Sequence, residues 1–178
     1  ARYGQQVPLK WALQHSNNWI SASLITTLGP QQFVGILHDF GLNNPDIDRN
    51  ATPVLSLGPC EVSVGEMVSA YTAFANGGVR CAPLFVTKIE DSHGNVIAKF
   101  QPLMTEVISE DNSYRMIDMM RAVIDGGTGS RLKGAYGMKG DICGKTGTTN
   151  SNSDGWFIAF TPELVSGAWV GGEDRDIH

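Results

Sequence analysis

Residues 144–172 of this 178-residue chain read GKTGTTNSNSDGWFIAFTPELVSGAWVGG. With the two residues before it, this stretch contains three strand-like runs, at 142–148, 155–160 and 164–170. Short segments rich in Asn, Ser, Thr and Pro separate the runs, as is typical of connections between neighbouring antiparallel strands. The pattern therefore predicts a three-stranded antiparallel meander near the end of the chain.

Helix signals precede this meander. Proline at a first helical position, a serine–glutamate capping box, apolar residues at helical spacing and a methionine stripe each predict a helix. The helices should begin at or near Pro8, after Asn18, at Pro30, at Ser63 and near Ser109. A hairpin is predicted between 84–90 and 96–100, and a long turn-rich connection at 42–60. Helices followed by a small meander indicate an α+β fold.

The composition limits the classes of function. Thirteen basic and 18 acidic residues give a net charge of −5, which offers no field to attract a phosphate backbone, so no nucleic-acid partner is expected. No apolar run reaches the roughly 18 residues that a membrane-spanning helix requires. Cys60, Cys81 and Cys143 lack the spacing of zinc or redox sites, and no metal or cofactor is expected. Buried thiols and a Cys60–Cys81 disulfide both remain open.

The Gly144-Lys145-Thr146 tripeptide first suggests a nucleotide-binding P-loop. That motif requires another glycine at position 139, which is a lysine, and no apolar helix follows Thr146. On an edge strand the same residues offer a fixed positive charge, hydroxyl groups and a glycine that lets another backbone approach. Such an edge could bind an extended peptide whose terminal carboxylate meets Thr146 and Thr148. The alternative is an ordinary lysine on a turn-flanked strand.

Residues 144–172 also closely resemble the C-terminal region of penicillin-binding protein transpeptidase domains, especially the bifunctional class A enzymes. Residues 56–63 and 70–78 and the Gly127-Thr128-Gly129 tripeptide resemble the same family, so the resemblance covers nearly the whole chain. It implies an α+β fold of the β-lactamase/transpeptidase type, with helices packed on an antiparallel sheet. It also implies that residues 1–178 are the C-terminal part of such a domain.

The resemblance supplies an S-x-N element at Ser16-Asn17-Asn18. Taken alone this pattern is weak, and its alternative is helix capping by Ser16 or Asn18. In the family, the serine nucleophile lies in an S-x-x-K motif well upstream of S-x-N, so the nucleophile is expected outside this chain. The S-x-x-K sequence at 130–133 stands in the wrong order, and we interpret it as a basic surface loop.

The family's chemistry, acyl transfer through a serine ester, implies a role for each matching residue. Ser16 would relay a proton toward the leaving amine, and Asn18 would hold the amide side chain of the substrate. Lys145 would keep Ser16 in place and stabilise the anionic transition state. Thr146 and Thr148 would bind the carboxylate of a D-Ala-D-Ala stem peptide or of a β-lactam. The backbone N–H of Thr148 would form half of an oxyanion hole, with the other half on the absent nucleophile.

The partners implied are the peptidoglycan stem peptide, β-lactam antibiotics and the missing N-terminal part of the same domain. Gly147 would let the backbone of the bound peptide approach the strand. The intact enzyme would be a serine D,D-transpeptidase that cross-links stem peptides, whereas this segment alone is expected to be inactive. It would act at the extracytoplasmic face of the bacterial inner membrane, in the periplasm, held by an anchor upstream of this chain.

Two other functions stay open at this point. One is a non-catalytic module that recognises peptidoglycan peptides or β-lactams. The other is a β-lactamase of the same fold, although no residue of the chain indicates a deacylating base. The four histidines lack zinc spacing and are expected at the surface or at helix ends. The tryptophans are expected to pack the sheet against the helices, at positions 11, 19, 156 and 169.

Overall fold

The computed structural model describes residues 4–149 and 152–172 of the chain. Helices fill most of the first part and the largest sheet the last part, so the predicted α+β class is confirmed. The helices are α1 Leu9–Gln14, α2 Asn18–Leu28, α3 Pro30–Asp39, α4 Pro45–Arg49, a 3₁₀ helix Pro53–Leu57, α5 Val64–Ala75, α6 Glu110–Gly126 and α7 Arg131–Gly134. The strands are β1 Val79–Cys81, β2 Lys88–Glu90, β3 Val96–Lys99, β4 Met104–Glu106, β5 Cys143–Thr148, β6 Asp154–Phe160 and β7 Val165–Gly171.

The strands form three antiparallel sheets. β1 pairs with β4, and β2 pairs with β3 as the predicted hairpin. The predicted meander has the order β5-β6-β7, with Thr146 opposite Phe157 and Trp156 opposite Trp169. Within the described residues β5 pairs with β6 alone, so it is an edge strand.

The residues at the helix ends explain where the helices begin and end. Pro30 is the first residue of α3, and Gly41 follows the helix with a φ of 86°, a left-handed conformation that glycine adopts without steric cost. The predicted capping box is present at α5. The hydroxyl oxygen of Ser63 accepts a hydrogen bond from the Glu66 N–H at 3.1 Å, and Glu66 Oε2 accepts one from the Ser63 N–H at 2.7 Å.

Two apolar clusters hold the layers together. The first lies among α2 to α5 and contains Ile25, Val34, Phe40, Leu42, Ile47, Leu55, Ala70 and Ala73. The second joins α6 to the sheet through Met120, Cys143 and Phe160, each at most 4% exposed. Of the predicted stripe, Met120 and Val123 are buried and Met116 packs against the second cluster, whereas Met119 is half-buried outside both clusters. Because α6 contacts both α1 and β5, it sets the position of one element relative to the other.

The structure differs from the sequence-based expectation in three segments. The 42–60 connection contains α4 and the 3₁₀ helix, because Pro45 and Pro53 each take a first helical position instead of a turn position. The β1–β4 pair was not predicted, since strands of three residues are too short to show an alternating pattern. The tract 130–133, predicted as a loop, forms the start of the short helix α7 from Arg131.

The prediction for the tryptophans is only partly right. Trp19 is 78% exposed and Trp169 is 41% exposed, so neither is buried between sheet and helices. Trp11 is half-buried and stacks on the ring of His15, with 4.3 Å between the ring centroids. Trp156 is half-buried on β6. Position within a helix or strand does not reveal which face is turned to solvent.

The three cysteines are free thiols, and Cys143 is buried. Burial raises the pKa of the Cys60 and Cys143 thiols, so the reactive thiolate form is disfavoured at both. No helix in the described part of the chain is both long enough and apolar enough to cross a membrane.

Removing the Ser63 hydroxyl should destabilise the fold. Ser63→Ala is expected to lower the free energy of unfolding by about 1 kcal/mol, because the first turn of α5 loses its cap. Ser23→Ala is the matched control, since this hydroxyl lies on the exposed face of α2, and it should change stability by less than about 0.5 kcal/mol. Urea unfolding followed by circular dichroism measures both. Equal losses in the two variants would contradict the capping role.

Candidate functional site

The turn after α1 holds Ser16 in an uncommon backbone conformation. Its φ is 50°, in the left-handed region that serine rarely adopts. The turn has the hydrogen bonds of a Schellman motif: the Ser16 N–H donates to the Leu13 carbonyl at 3.1 Å, and the Asn17 N–H to the Ala12 carbonyl at 2.9 Å. Glycine is usual at this position, and a serine there costs about 1–2 kcal/mol. Strain of this kind indicates a function for the side chain.

The residue that caps α2 is Asn17. Its Oδ1 accepts a hydrogen bond from the Ile20 N–H at 3.1 Å. Helix capping by Ser16 or Asn18, the alternative explanation of the S-x-N pattern, is therefore wrong. Asn18 is the exposed first residue of α2, and its amide makes no hydrogen bond to another of the described residues. That amide is free to meet a ligand.

Lys145 extends from β5 to the turn after α1. Its Nζ donates a hydrogen bond to Ser16 Oγ and another to the Thr146 carbonyl oxygen at 2.7 Å. The first bond joins residues 129 positions apart in the sequence. The strand is held in place by Gly144, where a Cβ would lie 2.7 Å from the Ile158 carbonyl oxygen, so only glycine allows β5 to approach β6 this closely.

The ammonium of Lys145 has no acidic partner among the described residues. It forms no ion pair with any carboxylate in residues 4–149 and 152–172. Burial lowers the pKa of Lys145, because desolvation disfavours the charged form. A partly desolvated, unpaired cation favours a bound anion, which supplies the missing opposite charge.

Thr128 belongs to the site, although the sequence analysis gave it no role. Its Oγ1 lies 2.6 Å from Oγ1 of Thr146, and either hydroxyl can be the donor. Its N–H donates to the Gln14 carbonyl at 3.2 Å and so ties the loop to the end of α1. Gly127 permits this contact, since a Cβ there would lie 2.4 Å from the Gln14 carbonyl oxygen. The glycines on either side were the available sequence signal, and a threonine between them is too common to indicate a site.

Gly147 and Thr148 form the end of β5 beyond Thr146. Thr148 is exposed, and its hydroxyl is not hydrogen-bonded to any residue of the described chain. The next residue is fixed: Thr149 Oγ1 donates to Asp154 Oδ2 at 2.9 Å, and Trp169 Nε1 donates to Asp154 Oδ1 at 2.9 Å. Asp154 thus anchors the chain where β5 ends, while Thr148 stays open to solvent.

The structure brings Ser16, Lys145 and Thr146 into direct contact and adds Thr128 to them. Asn18, Gly147 and Thr148 adjoin these residues in sequence but make no hydrogen bond with them among the described atoms. The resulting surface combines a cation, four hydroxyl groups and an open strand edge. This combination suits an extended ligand that ends in an anion. The Ser16 hydroxyl and the Lys145 ammonium can also pass a proton between them.

Other sequence patterns do not form a site in the described residues. Lys133 of the 130–133 tract pairs its Nζ with Asp125 Oδ1 at 2.7 Å, so its charge is directed away from Ser130. His15 packs on Trp11 and His38 lies 3.5 Å from an Asp48 oxygen. No group of three metal-ligating side chains occurs in the part of the chain that the structure describes.

The chain is similar to known proteins over nearly its whole length. The family profile described as the penicillin binding protein transpeptidase domain matches residues 1–168. The chain is 36% identical over 169 residues to penicillin-binding protein 1A of Aquifex aeolicus, and 34% identical over 175 residues to that of Neisseria lactamica. These matches cover 95% and 96% of the chain but 22% and 21% of the relatives. The chain thus spans about a fifth of their length.

Solved structures agree on the fold. Penicillin-binding protein 1A from Haemophilus influenzae matches with a TM-score of 0.86 and 25% identity, over 99% of this chain and 33% of that one. Penicillin-binding protein A from M. tuberculosis, solved as an imipenem acyl-enzyme complex, matches with a TM-score of 0.76 and 20% identity, over 95% of this chain and 43% of that one. The expected fold of the β-lactamase/transpeptidase type is therefore confirmed.

The strained backbone at Ser16 predicts that two small substitutions differ in their free energy of unfolding. Ser16→Gly should be more stable than Ser16→Ala by about 1 kcal/mol, because alanine keeps the cost of a left-handed conformation and glycine removes it. Both variants lack the hydroxyl, so the lost contact with Lys145 lowers the stability of both and does not cause the difference between them. Thermal and urea unfolding measure the difference. Equal stability would show that the left-handed turn carries no strain.

Lys145 should change the pH dependence of stability. Burial lowers the pKa of Lys145 in the folded chain below its ordinary value of 10.5, so between these two pKa values the unfolded chain binds more protons. The free energy of unfolding of the wild type, relative to Lys145→Met, should therefore rise with pH in that window. Urea unfolding at several pH values measures this difference. A difference that stays constant or falls would contradict the shift.

Proposed function

We propose that this chain, which belongs to the penicillin-binding protein transpeptidase family, binds the D-Ala-D-Ala end of a peptidoglycan stem peptide. In the whole protein this binding serves cell-wall cross-linking by serine acyl transfer. The single observation that carries this proposal is the contact of Lys145 with Ser16, made across 129 positions of sequence. Residues 1–178 form the C-terminal part of the transpeptidase domain in this proposal.

The open edge of β5 is the surface on which the peptide lies. An extended peptide adds there as a neighbouring strand, and Gly147 leaves room for its backbone. Its terminal carboxylate is held by the hydroxyls of Thr146 and Thr148 and neutralises the charge of Lys145. Asn18, whose amide has no other described partner, holds an amide of the peptide from the α2 side.

Ser16 and Lys145 serve the proton transfers of the reaction. In acylation, the nucleophilic serine oxygen bonds to the carbonyl carbon of the penultimate D-Ala, and the bond to the terminal D-Ala nitrogen breaks. That nitrogen must gain a proton to leave as an amine. The nucleophilic serine loses its proton to the lysine of the upstream S-x-x-K motif, and Ser16 relays a proton from that lysine to the leaving nitrogen. Lys145 holds Ser16 and stabilises the anionic carbonyl oxygen electrostatically, with the Thr148 N–H as one donor of the oxyanion hole.

The nucleophile itself is supplied by sequence upstream of Ser16 in this proposal. An amine of a second stem peptide then attacks the serine ester, which forms the cross-link and restores the serine hydroxyl. The same groups suit the carboxylate and carbonyl of a β-lactam. The site would face the periplasm, on the outer side of the bacterial inner membrane, with the anchor in the upstream part of the protein.

A non-catalytic recognition module is the second candidate. It is favoured by one observation, that the contacts of Thr146 with Lys145 and Thr128 are made without any nucleophile. Such a module would use the same carboxylate site and would never form an ester.

Labelling with fluorescent penicillin separates these functions. The 178-residue chain should carry no label after denaturing electrophoresis, since it lacks the nucleophile. The same chain extended by its natural upstream sequence should be labelled, and Lys145→Ala in the extended chain should reduce the labelling rate by about 10²-fold or more. Lys139→Ala is the control and should not change the rate. A stable label on the 178-residue chain would contradict the proposed position of the nucleophile, and an unlabelled extended chain would favour the recognition module.

A further inference from the structure

The loop that carries Thr128 is held by several backbone hydrogen bonds and lies beside Thr146. The N–H groups of Gly127 and Gly129 both donate to the Val123 carbonyl at 3.1 Å, which fixes the loop to the last turn of α6. Gly129 also packs tightly, since a Cβ there would lie 2.8 Å from Ile124 Cδ1. With the Thr128 N–H bonded to Gln14, the backbone on both sides of Thr128 is held.

The Thr128–Thr146 hydrogen bond has two possible polarities, because either hydroxyl can be the donor. Each hydroxyl has one proton and can also accept, and only one proton can lie between the two oxygens, which are 2.6 Å apart. If Thr146 donates to Thr128, the Thr146 proton is not available to a ligand. If Thr128 donates to Thr146, the Thr146 proton is free to point into the site.

A bound carboxylate requires the second polarity, because an ionised carboxylate can accept hydrogen bonds and cannot donate one. The chain of donors then runs from Thr128 through Thr146 to the carboxylate, and successive hydrogen bonds of this kind strengthen one another. A neutral C-terminal amide has both donor and acceptor atoms, so it can meet Thr146 in either polarity. A carboxylate therefore depends on Thr128 as the donor to Thr146, whereas an amide does not.

We propose that Thr128 is a positioning residue: its hydroxyl donates to Thr146 Oγ1, directs the Thr146 proton into the site, and makes the site selective for a C-terminal carboxylate over a C-terminal amide. This inference rests on the proposed function and adds a residue outside the S-x-N and K-T-G-T motifs to it.

The test compares two peptides on the chain extended by its natural upstream sequence, because residues 1–178 are only part of the domain in the proposed function. Diacetyl-Lys-D-Ala-D-Ala and its C-terminal amide are titrated against the wild type, Thr128→Val, Thr128→Ser and the control Thr105→Val, with binding followed by NMR. Thr105 lies on the exposed strand β4. Thr128→Val should weaken binding of the carboxylate peptide about fivefold and leave the amide peptide unchanged. Thr128→Ser and Thr105→Val should bind both peptides as the wild type does.

A double-mutant cycle shows whether Thr128 acts through Thr146. In a Thr146→Val background, Thr128→Val should cause no further loss, because the hydroxyl that it positions is absent. A further loss there, an equal loss for both peptides, or no loss in the single variant would overturn the positioning role. Thr128→Ala repeats the measurement if thermal melting shows that the valine variant is destabilised. A wild type that binds neither peptide, or both equally, would instead refute the proposed function, and this inference with it.

Discussion

The packing of helix α6 between α1 and β5 is the constraint on which the site depends. Met120 on α6 is buried against Cys143 at the start of β5, and Leu13 of α1 packs against the same cluster. The end of the same helix carries the loop that bonds Gln14 and Thr146. One helix therefore contacts both of the elements that bring Ser16 and Lys145 together.

The site concentrates features that reduce stability. Ser16 occupies a backbone conformation better suited to glycine, and Lys145 is partly desolvated with no counter-charge in the part of the chain that the structure describes. The polar side chains of Asn18 and Thr148 are not used by the described residues. The first two are unfavourable in the free protein, whereas the exposed side chains of Asn18 and Thr148 are solvated. The anionic peptide proposed above would pair with the lysine and use both polar side chains. Stability given up at a few positions is typical of functional sites held by a well-packed surrounding fold.

The sequence could predict those features that depend on local chemistry. Pro30, the Ser63–Glu66 capping box and the three strand-like runs all act over a few residues, and the elements they predict are present. The strained turn at Ser16 and the Thr128–Thr146 contact could not be predicted, because they depend on how α1, α6 and β5 pack together. The exposure of Trp19 was missed for the same reason: a helical position is local, whereas burial depends on the neighbours that the helix meets.

The open edge of β5 offers a route to association between copies of the chain. A row of unpaired backbone groups can be extended by any strand, including the β5 edge of a second molecule. Proline does not interrupt this strand. The ammonium of Lys145 bonds Ser16 and so does not oppose pairing with another strand at the edge. A ligand bound along β5 would therefore also prevent self-association through this edge for as long as it stays bound.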